Sequence, residues 1–399
     1  MGRLRKSSAR ILGNGARMSK GPLHLVIASG ASGGHFYPTL AIAREFLLSG
    51  EGRQVTLVLS GRHAAEQAGI AARYGLETCE VPSFKLPHGA LALLRFPYDC
   101  ARSFLAARRT LGRLRPDVVL GMGSFAAYPL CQMASWTGCP LVLHEGNSFM
   151  GKTNRMLMRQ ALGIGLSLPL ADMAQTQGRR AAQVGMPLRE AIVQAAAAPE
   201  SVIDESYLPS LGLRHGVRTI LVFGGSQGAR AVNELLPEAM GRLPEELRAN
   251  VQVMHLTGSE DNRQLAANYE RAGVCASVRR GEERMEQCYL NADLVICRAG
   301  ASSICELALF GKPSILIPLP TAADDHQTVN ATVLEQQGAA VHLPQRQATP
   351  ERLASMLADF LTAPQDWQTR AASLKALGRP RAARAMVDFI LERLDSSAT

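Results

Sequence analysis

Two stretches of this sequence open in the same way, with a short apolar strand, a glycine-rich loop and an amphipathic helix. The first joins a strand at 24–29 to the loop GASGGH and a helix that contains Pro38. The second joins a strand at 219–223 to the loop GGSQGAR and a helix at 231–240. Further strand–turn–helix units follow both openings. Because alternating strands and helices form parallel sheets, we predict an α/β fold in which two Rossmann-like, doubly wound domains face a cleft.

A chain of 399 residues with 47% hydrophobic content can bury two cores of ordinary size. The expected boundaries are 22–194 for the N-terminal domain, 195–217 for a linker and 218–378 for the C-terminal domain. Residues 379–399 are expected to form a basic amphipathic helix that packs back on the N-terminal domain. Residues 1–21 are predicted to be a disordered basic extension.

The formal net charge of +9 is concentrated at the start of the chain. The first 17 residues contain five cations and no acid: Arg3, Arg5, Lys6, Arg10 and Arg17. Met18 is followed almost at once by the first strand, so the segment before it can be an upstream extension or a mis-assigned start. Less than half of the excess charge then belongs to the folded body, which disfavours a nucleic-acid-binding protein.

No apolar run reaches the roughly 18 residues needed to span a bilayer, and no signal-peptide core follows the basic N-terminus. Eight cysteines are scattered without a CxxC pair or a metal-site cluster, a pattern typical of reduced thiols. These features predict a protein that stays in the cytoplasm.

The stretch at 292–331, ADLVICRAGASSICELALFGKPSILIPLPTAADDHQTVNA, is predicted to bring polar side chains to the carboxyl edge of a parallel sheet, where open α/β sheets bind ligands. Ser302 and Ser303 are the expected N-caps of a helix that carries Glu306 about one turn later. From there a carboxylate can accept hydrogen bonds from vicinal ribose hydroxyls, and the glycine turn before the helix lets a flat base approach the backbone. The same spacing also fits an ordinary strand–helix–strand unit with a solvated glutamate.

His35 is the candidate base of the N-terminal domain. It follows the first glycine loop, where the amides of a helix start can bind a diphosphate. A histidine beside such a loop can accept a proton near neutral pH. The alternatives are a loop that only permits close helix–strand packing and a histidine bonded to backbone. The loop is not GxGxxG, and no acid follows the second strand to bind an NAD ribose.

Two further strands, at 117–120 and 141–143, run into the loops GMGS and HEGN. Loops at the carboxyl ends of parallel strands that carry His, Glu and Asn are placed for hydroxyl recognition. Glu145 and Asn147 are therefore candidate site residues.

The segment from Phe84 to Arg115 interleaves apolar side chains with arginines and contains a single acid. Such a segment can place apolar groups in a lipid interface while its cations face anionic headgroups. The predicted membrane patch consists of Phe84, Lys85, Leu94, Arg95 and Phe96. The alternative is a core helix with a basic solvent face.

Four segments together resemble one family of bacterial cell-wall enzymes, the undecaprenyldiphospho-muramoylpentapeptide β-N-acetylglucosaminyltransferases. They are GASGGHFYPTLAIA, HEGNSFMGKTNR, FGGSQGARAVN, and CRAGASSICELALFGKP with DDHQTVNA, in the family's order. The likeness covers roughly residues 22–394. It implies the GT-B fold, with the acceptor on the N-terminal domain and UDP-N-acetylglucosamine on the C-terminal domain.

The implied reaction moves N-acetylglucosamine, with inversion, to the C4 hydroxyl of the muramoyl residue and converts lipid I into lipid II. The implied partners are UDP-N-acetylglucosamine, the undecaprenyl-linked muramoyl-pentapeptide, an anionic membrane surface and other proteins of cell-wall synthesis, but no nucleic acid. The resemblance also implies a peripheral location on the cytoplasmic face of the cell membrane. No cofactor is implied, since UDP-N-acetylglucosamine is a substrate.

The resemblance also implies roles for single residues. His35 matches the family's base, Ser226 matches a diphosphate contact and Glu306 matches the ribose-binding residue. The implied donor-binding residues are Ser32, Gly33, Gly34, Asn147, Arg189, Ser226, Ala301, Ser302, Ser303, Ile304, Cys305, Glu306, His326 and Gln327.

The family pattern is not matched everywhere. The family's HEQN has Gly146 at its third position here, and its GNPVR has Met186 and Leu188. The family's Phe-Ile pair before the helix that starts near Met285 appears as Gly281-Glu282, which weakens any inference about the uracil contact.

The residues suit an inverting transfer on chemical grounds as well. The reaction needs a base for the acceptor hydroxyl and positive potential for the departing diphosphate. His35 is the predicted base, and Glu145 is the second candidate. The diphosphate is expected at the helix N-terminus formed by the second glycine loop, at Gly224, Gly225, Gln227 and Gly228. No DxD pair occurs in the sequence, so we predict chemistry without a metal.

Three alternatives remain open. A UDP-N-acetylglucosamine 2-epimerase has the same architecture and donor but has no use for the apolar and basic segment, and it would release UDP without a lipid acceptor. A transferase that glycosylates diacylglycerol or another lipid differs only in its acceptor. A basic nucleic-acid-binding protein would show steep salt-dependent binding from a chain that starts at Met18.

Overall fold

The computed structural model describes residues 22–30, 33–61, 63–84, 90–224, 230–259 and 261–397. These parts of the chain form two parallel β-sheets that are flanked by helices. The predicted α/β fold with two doubly wound domains is therefore confirmed.

The first sheet has the strand order β3-β2-β1-β4-β5-β6-β7. Its strands are β1 (Leu23–Ala28), β2 (Arg53–Leu59), β3 (Glu77–Glu80), β4 (Val118–Gly121), β5 (Leu141–Glu145), β6 (Gly163–Leu166) and β7 (Ala181–Gln183). The helices of this half are α1 (Gly33–Leu48), α2 (Ala64–Arg73), α3 (Ala90–Leu114), α4 (Tyr128–Trp136), α5 (Lys152–Leu157) and α6 (Glu190–Ala197). The strand order changes direction between β1 and β4, the position at which open α/β sheets bind ligands.

The central strands β1, β4, β5 and β6 are almost continuous apolar runs because helices cover both faces of the first sheet. One core contains β1 residues such as Leu25 together with α1 residues such as Phe46. A second core, on the other face, contains Val26 and residues of α3 and α4 such as Leu111 and Leu130. The alternation of Leu25 and Val26 between two cores is what a doubly covered strand requires.

The segment between the sheets, predicted as a linker, contains two short helices, α7 (Pro199–Val202) and α8 (Tyr207–Ser210). Tyr207 and Leu208 are buried in a core that they share with the second sheet. This segment is therefore packed against the second sheet, although its polar, proline-containing composition is typical of a linker.

The second sheet has the order β10-β9-β8-β11-β12-β13, again all parallel, with its change of direction between β8 and β11. Its strands are β8 (Arg218–Phe223), β9 (Val251–Leu256), β10 (Cys275–Arg279), β11 (Leu294–Cys297), β12 (Ser314–Leu316) and β13 (Val341–His342). The helices are α9 (Arg230–Gly241), α10 (Glu245–Arg248), α11 (Arg263–Arg271), α12 (Met285–Asn291), α13 (Ala301–Phe310), α14 (His326–Gln336), α15 (Pro350–Thr362) and α16 (Pro364–Ala376).

The last helix, α17 (Ala382–Ser397), packs on the first sheet and on α1, with Met386 and Phe389 in their common core. Two glycines of β6 make room for it. A Cβ at Gly165 would lie 2.5 Å from the Met386 sulfur, and one at Gly163 would lie 2.8 Å from the Phe389 ring. None of the described helices combines the length and the hydropathy that crossing a bilayer would need.

Three element boundaries differ from the sequence-based expectations in ways that matter for the site. Helix α1 begins at Gly33, so His35 lies in its first turn and not on a loop. Strand β5 extends to Glu145, so this carboxylate ends a strand. The expected capping by Ser302 and Ser303 is wrong, because the N-cap of α13 is Gly300 and both serines lie inside the first turn.

Candidate active site

Helices from both halves of the chain line a cavity of about 300 Å³. Gly34 and Tyr37 of α1 border it on one side, and Ser302 and Glu306 of α13 border it on the other. The segment before α6 contributes Arg189. Because α1 and α13 each follow a strand at the switch point of its sheet, the two ligand-binding edges meet at this cavity.

Glu306 accepts a hydrogen bond from a tyrosine that sequence reasoning missed. The Tyr289 hydroxyl, on α12, donates a hydrogen bond of 2.7 Å to Oε2 of Glu306. Tyr289 is fully buried. A buried tyrosine needs a partner for its hydroxyl, and this requirement is the one signal in the sequence that could have pointed to the pair.

The pKa of Glu306 reflects opposing influences. Burial raises the pKa of this carboxyl above its ordinary value, and the hydrogen bond from Tyr289 and the positive charge of Arg189 offset only part of that rise. The Arg189 guanidinium also lies 6.0 Å from the centroid of the Tyr37 ring, within reach of a cation–π contact. Glu306 and Arg189 thus place a carboxylate and a guanidinium on the lining of the same cavity.

The start of α14 contributes two further polar side chains. Nδ1 of His326 donates to the carbonyl oxygen of Ala323 at 2.6 Å, which leaves Nε2 as the ring's second polar atom. Gln327 is buried, and its Oε1 accepts a hydrogen bond from the Leu319 amide. The Gln327 amide nitrogen is thereby oriented, and it can donate to a ligand hydroxyl.

His35 faces the second half of the chain. Burial lowers the pKa of its imidazole, and the nearby His326 lowers it further. The ring packs directly on Gly30, where a Cβ would lie 2.6 Å from Cγ of His35. Gly30 is therefore required for this close approach. The two histidines, one from each half, are thus close enough for His326 to influence His35 electrostatically.

Glu145 is engaged in ordering its own loop. Its Oε1 accepts hydrogen bonds from the amide and the side chain of Asn147, and its Oε2 accepts from the Gly151 amide and the Asn154 side chain. A carboxylate that accepts four hydrogen bonds is well suited to fixing a loop. Asn147, a predicted donor-binding residue, is positioned by it.

A side chain of α14 also forms hydrogen bonds with the loop after β5. Asn330 is fully buried, and its Oδ1 accepts a 2.7 Å hydrogen bond from the Ser148 amide. Its Nδ2 donates to Oδ1 of Asn147 at 3.1 Å and to the Ala299 carbonyl oxygen at 3.0 Å. One side chain thus joins the loop after β5 to the turn before α13.

The rest of the predicted nucleoside site divides into two groups. Ala301 and Ser303 are half-buried near the cleft. The side chains of Ile304 and Cys305 point into the core beneath α13, so only their backbone can face a ligand.

The two glycine loops are described only in part. Gly33 begins α1, Gly34 lines the cavity and Gly224 follows β8 directly. The remaining predicted positions lie outside the described residues: Ser32, Gly225, Ser226, Gln227 and Gly228.

Two departures from the family pattern are neighbours in space. A Cβ at Gly146 would lie 3.1 Å from the Met186 methyl group, so a small residue at 146 accompanies a long one at 186. The third departure, Glu282, accepts hydrogen bonds from the Tyr207 hydroxyl at 3.0 Å and from the Arg284 amide. Its carboxylate is therefore occupied within the protein.

The predicted membrane patch is altered in one respect. Phe84 is 7% exposed and packs against Phe96 and Phe125, with ring centroids 5.6 and 5.4 Å apart, so the expectation that it is exposed is wrong. Phe96 is half-buried, Arg95 is exposed and Lys85 lies outside the described residues. The exposed groups form what we call the α3 surface: Leu93, Leu94, Tyr98, Leu105 and Trp136, with Arg95, Arg102, Arg108 and Arg109.

Family models match both halves of the chain. The N-terminal domain of glycosyltransferase family 28 matches residues 25–165, and the C-terminal domain of the same family matches residues 219–386. The first match covers most of the first sheet and includes Gly34 and Tyr37, but it ends before β7 and Arg189. The second covers almost the whole second sheet and includes Ser302 and Glu306.

Curated relatives extend over nearly the whole chain. A protein from Anaeromyxobacter dehalogenans (strain 2CP-C) is 36% identical over 93% of both chains. One from Azotobacter vinelandii (strain DJ / ATCC BAA-1303) is 38% identical over 92% of this chain and 98% of its own. Both are named UDP-N-acetylglucosamine–N-acetylmuramyl-(pentapeptide) pyrophosphoryl-undecaprenol N-acetylglucosamine transferase.

Solved structures agree with these relatives. The crystal structure of MurG from Acinetobacter baumannii is 26% identical, covers 93% of this chain and 100% of its own, and gives a TM-score of 0.73. A UDP-N-acetylglucosamine 2-epimerase from Neisseria meningitidis covers 93% of this chain and 99% of its own with a TM-score of 0.63, but at 11% identity this likeness concerns the fold alone. The chain therefore belongs to glycosyltransferase family 28, as a member of the branch that these N-acetylglucosamine transferases form.

Proposed function

We propose that this chain transfers N-acetylglucosamine from UDP-N-acetylglucosamine to the C4 hydroxyl of the muramoyl residue of undecaprenyl-diphospho-muramoylpentapeptide, the step from lipid I to lipid II. One observation carries the proposal above the others. Helix α1, which bears His35, and α13, which bears Glu306, line the same cavity. His35 does not itself line this cavity, but it directly follows Gly34, which does. A base on one half is thereby proposed to lie next to a nucleotide site on the other, and the names of the curated relatives support these substrates.

In the proposed reaction His35 accepts the proton of the acceptor hydroxyl. The C4 oxygen of the acceptor forms a bond to C1 of N-acetylglucosamine, and the bond between C1 and the diphosphate oxygen breaks. The hydroxyl proton passes to the imidazole, and UDP leaves from the opposite face, so the configuration at C1 inverts. Because burial and His326 lower the pKa of His35, its ring is neutral at pH 7 and can accept this proton.

The donor is proposed to lie along α13 and the start of α14. Glu306 presents a carboxylate for the ribose hydroxyls, and Gln327 has an oriented amide nitrogen for the sugar. Asn147, held by Glu145 and Asn330, reaches the same region from the other half.

The departing diphosphate needs positive potential. No side chain caps α13, so its first backbone amides are available to an anion, and Arg189 adds a cation at the edge of the cavity. We also propose that the diphosphate contacts the glycine loop between β8 and α9. These groups support the expectation that a divalent metal is not required.

The acceptor is proposed to arrive from a membrane. The α3 surface combines exposed apolar side chains with arginines, the composition of a reversible contact with anionic lipid. We place this contact on the cytoplasmic face of the cell membrane, where a nucleotide-sugar donor and a lipid-linked acceptor can meet.

A direct assay tests the proposal. The protein is mixed with radiolabelled UDP-N-acetylglucosamine and the lipid-linked muramoyl-pentapeptide, in the presence of EDTA. We expect label in the lipid fraction in step with UDP release. Label on diacylglycerol instead, or UDP release without any acceptor, would contradict the proposed acceptor. A rate that collapses in EDTA and returns with Mg²⁺ would contradict the metal-independent chemistry.

A further inference from the structure

Tyr289 contacts the donor site from the interior of the C-terminal half. It is fully buried and does not itself line the cavity. Its hydroxyl reaches Oε2 of Glu306 at 2.7 Å, a short distance that is typical of a hydrogen bond to a charged oxygen. Tyr289 can therefore influence a bound nucleotide only through Glu306.

The ring of Tyr289 is held on two sides. It stacks on Phe310, with 5.1 Å between the ring centroids and 28° between the ring planes. Its edge meets Phe223 at 6.3 Å and 76°. Phe310 lies one turn after Glu306 on α13, and Phe223 ends β8, where the second glycine loop begins. The hydroxyl is consequently fixed relative to the elements that form the donor site.

The hydrogen bond leaves half of the carboxylate for a ligand. Among the described residues, Tyr289 is the one hydrogen-bond donor to Glu306, and it uses Oε2. A carboxylate has two oxygens with about four acceptor positions, so Oε1 remains for the vicinal hydroxyls of a ribose.

Tyr289 affects Glu306 differently from the other charged and titratable groups that face this carboxylate. The thiols of Cys297 and Cys305 are neutral, because burial raises the pKa of each well above its usual value. Burial also raises the pKa of Tyr289 itself, so its hydroxyl stays protonated and remains a donor. Arg189 favours the ionised carboxylate, but it comes from the other half of the chain. Tyr289 is thus the group within the same half that opposes the effect of burial.

We infer that Tyr289 is a positioning residue for the donor, which turns one oxygen of Glu306 toward a nucleoside diphosphate. The inference rests on the proposed function, because it takes Glu306 to be the ribose-binding group. It extends that function to a residue that never touches the substrate.

Tyr289→Phe tests the inference, since it removes one hydroxyl and retains the stacked ring. At pH 7.5 we expect UDP to bind about tenfold more weakly, the order expected for losing a hydrogen bond to a charged group. The preference for UDP over 2′-deoxy-UDP should shrink as well. Without the hydrogen bond the pKa of Glu306 rises, so UDP affinity should begin to fall at a higher pH than in the wild type.

Two controls separate positioning from general stability. Tyr269→Phe removes another fully buried hydroxyl, which is bonded to His255 and not to Glu306, and it should leave UDP binding unchanged. In a Glu306→Ala background, Tyr289→Phe should weaken UDP binding no further, because the carboxylate through which it acts is gone. Calorimetric titration and a thermal melt of each variant supply both readouts.

The possible failures are distinguishable. A wild-type protein that binds no UDP would overturn the proposed function and this inference with it. A folded Tyr289→Phe protein with the affinity and pH dependence of the wild type would overturn the inference alone. The inference alone would also fail if Tyr289→Phe weakened UDP binding equally with and without Glu306.

Discussion

The environment of His35 has a chemical consequence for its imidazole. Burial disfavours a positive charge on His35, and the electrostatic effect of His326, from the other half of the chain, acts in the same direction. The pKa of His35 therefore lies below the ordinary value of 6.5, and the ring is an unprotonated acceptor at pH 7. That protonation state suits a general base and would be unsuitable for a general acid.

Replacing His35 with Asn keeps a polar side chain of similar size but removes the titrating nitrogen. We expect kcat to fall about 10²–10⁴-fold, the usual contribution of a positioned base. UDP binding should change little, since the nucleotide is proposed to lie on the other half of the chain. The wild-type rate should fall as the pH drops below the pKa of His35, and the variant should lack this acid limb. Single-turnover rates over a pH series provide the measurement.

His24→Asn is the matched control, because His24 is a partly buried histidine at the opposite end of β1, bonded to Thr56. It should keep the wild-type rate per folded molecule. If His35→Asn also kept that rate, the base would have to be sought elsewhere. Glu145 would be a poor replacement, since its carboxylate already accepts four hydrogen bonds from its own loop.

Sequence reasoning located Glu306, Arg189 and Ser302, and the structure places all three around one cavity. Glu306 and Ser302 follow local rules, since both lie in the first turns of a helix that comes after a strand. Arg189 is predicted only through the resemblance to the family. Tyr289 and the partners of Asn330 could not be found in this way. Their contacts depend on how α12 packs on α13 and how the two halves of the chain meet, and neither follows from local periodicity.

Helix α3 shows how one element can serve both a core and a surface. Its inner face packs Ala107 and Leu111 against α4 and the first sheet, while Leu94 on its outer face is 80% exposed. Exposed apolar groups beside arginines are typical of an interfacial helix.

Leu94→Ser should weaken binding to vesicles that contain anionic lipid, because it removes apolar area from the α3 surface without touching the core. Combined with Leu105→Ser, we expect a loss of about tenfold or more in the partition coefficient, since a buried leucine side chain contributes on the order of 1.5–3 kcal/mol. Vesicle sedimentation measures it, and neutral vesicles should bind the wild type weakly.

Leu48→Ser is the control, since Leu48 is 79% exposed but ends α1, whose core lies on the other face of the first sheet. It should not alter sedimentation. Equal loss from Leu48→Ser and from the α3 variants would mean that binding is nonspecific, and no loss from either would remove α3 from the membrane contact.

A buried histidine ties β9 to α9 and α11. Nε2 of His255 donates to Oδ1 of Asn233, and Nδ1 accepts from the Tyr269 hydroxyl at 2.7 Å. Both ring nitrogens are thus matched to the neutral form. Burial lowers the pKa of His255 to about 3, far below its ordinary value.

This depressed pKa predicts a loss of stability in acid. Between pH 6.5 and about 3 the unfolded chain binds a proton at this site that the folded chain does not bind. The free energy of unfolding should therefore fall by about 1.4 kcal/mol per pH unit on account of His255. His255→Gln should be less stable at pH 7.5 but should lose less on going to pH 5, which urea unfolding at the two pH values would measure.

The exposed His215 serves as the reference, because His215→Gln should follow the wild type at both pH values. His144, whose pKa burial lowers to about 4, contributes a similar slope to all three proteins and cancels in the comparison. An identical loss for His255→Gln and the wild type would mean that His255 does not carry this pH dependence.

Strands could be predicted more closely than helix starts. Apolar runs such as 219–223 and 294–297 have few alternatives in a sheet that is covered on both faces. The first residue of a helix depends on which backbone amides find hydrogen-bond partners. Gly33 begins α1 and Gly300 is the N-cap of α13, and neither has a side chain that would mark the helix start in the sequence. The segment 195–217 has the composition of a linker, and only the packing of Tyr207 reveals its helices as part of a core.

The relation between the two halves of the chain lies beyond what periodicity and local motifs predict, and a few contacts define it. Asn330 binds the loop after β5 through two hydrogen bonds, to Ser148 and Asn147. Nearby, Oδ1 of Asp324 lies 3.0 Å from Nζ of Lys152, at the start of α5. Asp324 has a φ of 51°, in the left-handed region that Asp tolerates better than most residues. Asp324 and Asn330 lie on either side of His326 and Gln327 in the sequence. Their contacts therefore attach the start of α14, where the donor is proposed to bind, to the N-terminal half of the chain.

The ion pair between Asp324 and Lys152 should therefore contribute to catalysis although neither residue lines the cavity. Asp324→Asn removes the charge and keeps a residue that tolerates a positive φ, and Lys152→Gln removes the opposite charge. We expect each to lower kcat/KM by about two- to fivefold, the range that an exposed pair can contribute. Asp324→Asn also removes a longer pair, since Nη2 of Arg155 lies 4.0 Å from Oδ2 of Asp324. The double variant should therefore be no slower than Asp324→Asn, because that substitution already removes the pair with Lys152.

Ionic strength gives an independent measurement, since salt screens an exposed pair. The advantage of the wild type over Asp324→Asn should shrink as NaCl is raised. The pair between Arg230 and Glu234 lies within α9 alone, at 2.8 Å, and neutralising it should not affect kcat/KM. If the effects of Asp324→Asn and Lys152→Gln simply multiplied in the double variant, the two residues would act separately, and their ion pair would not contribute to catalysis.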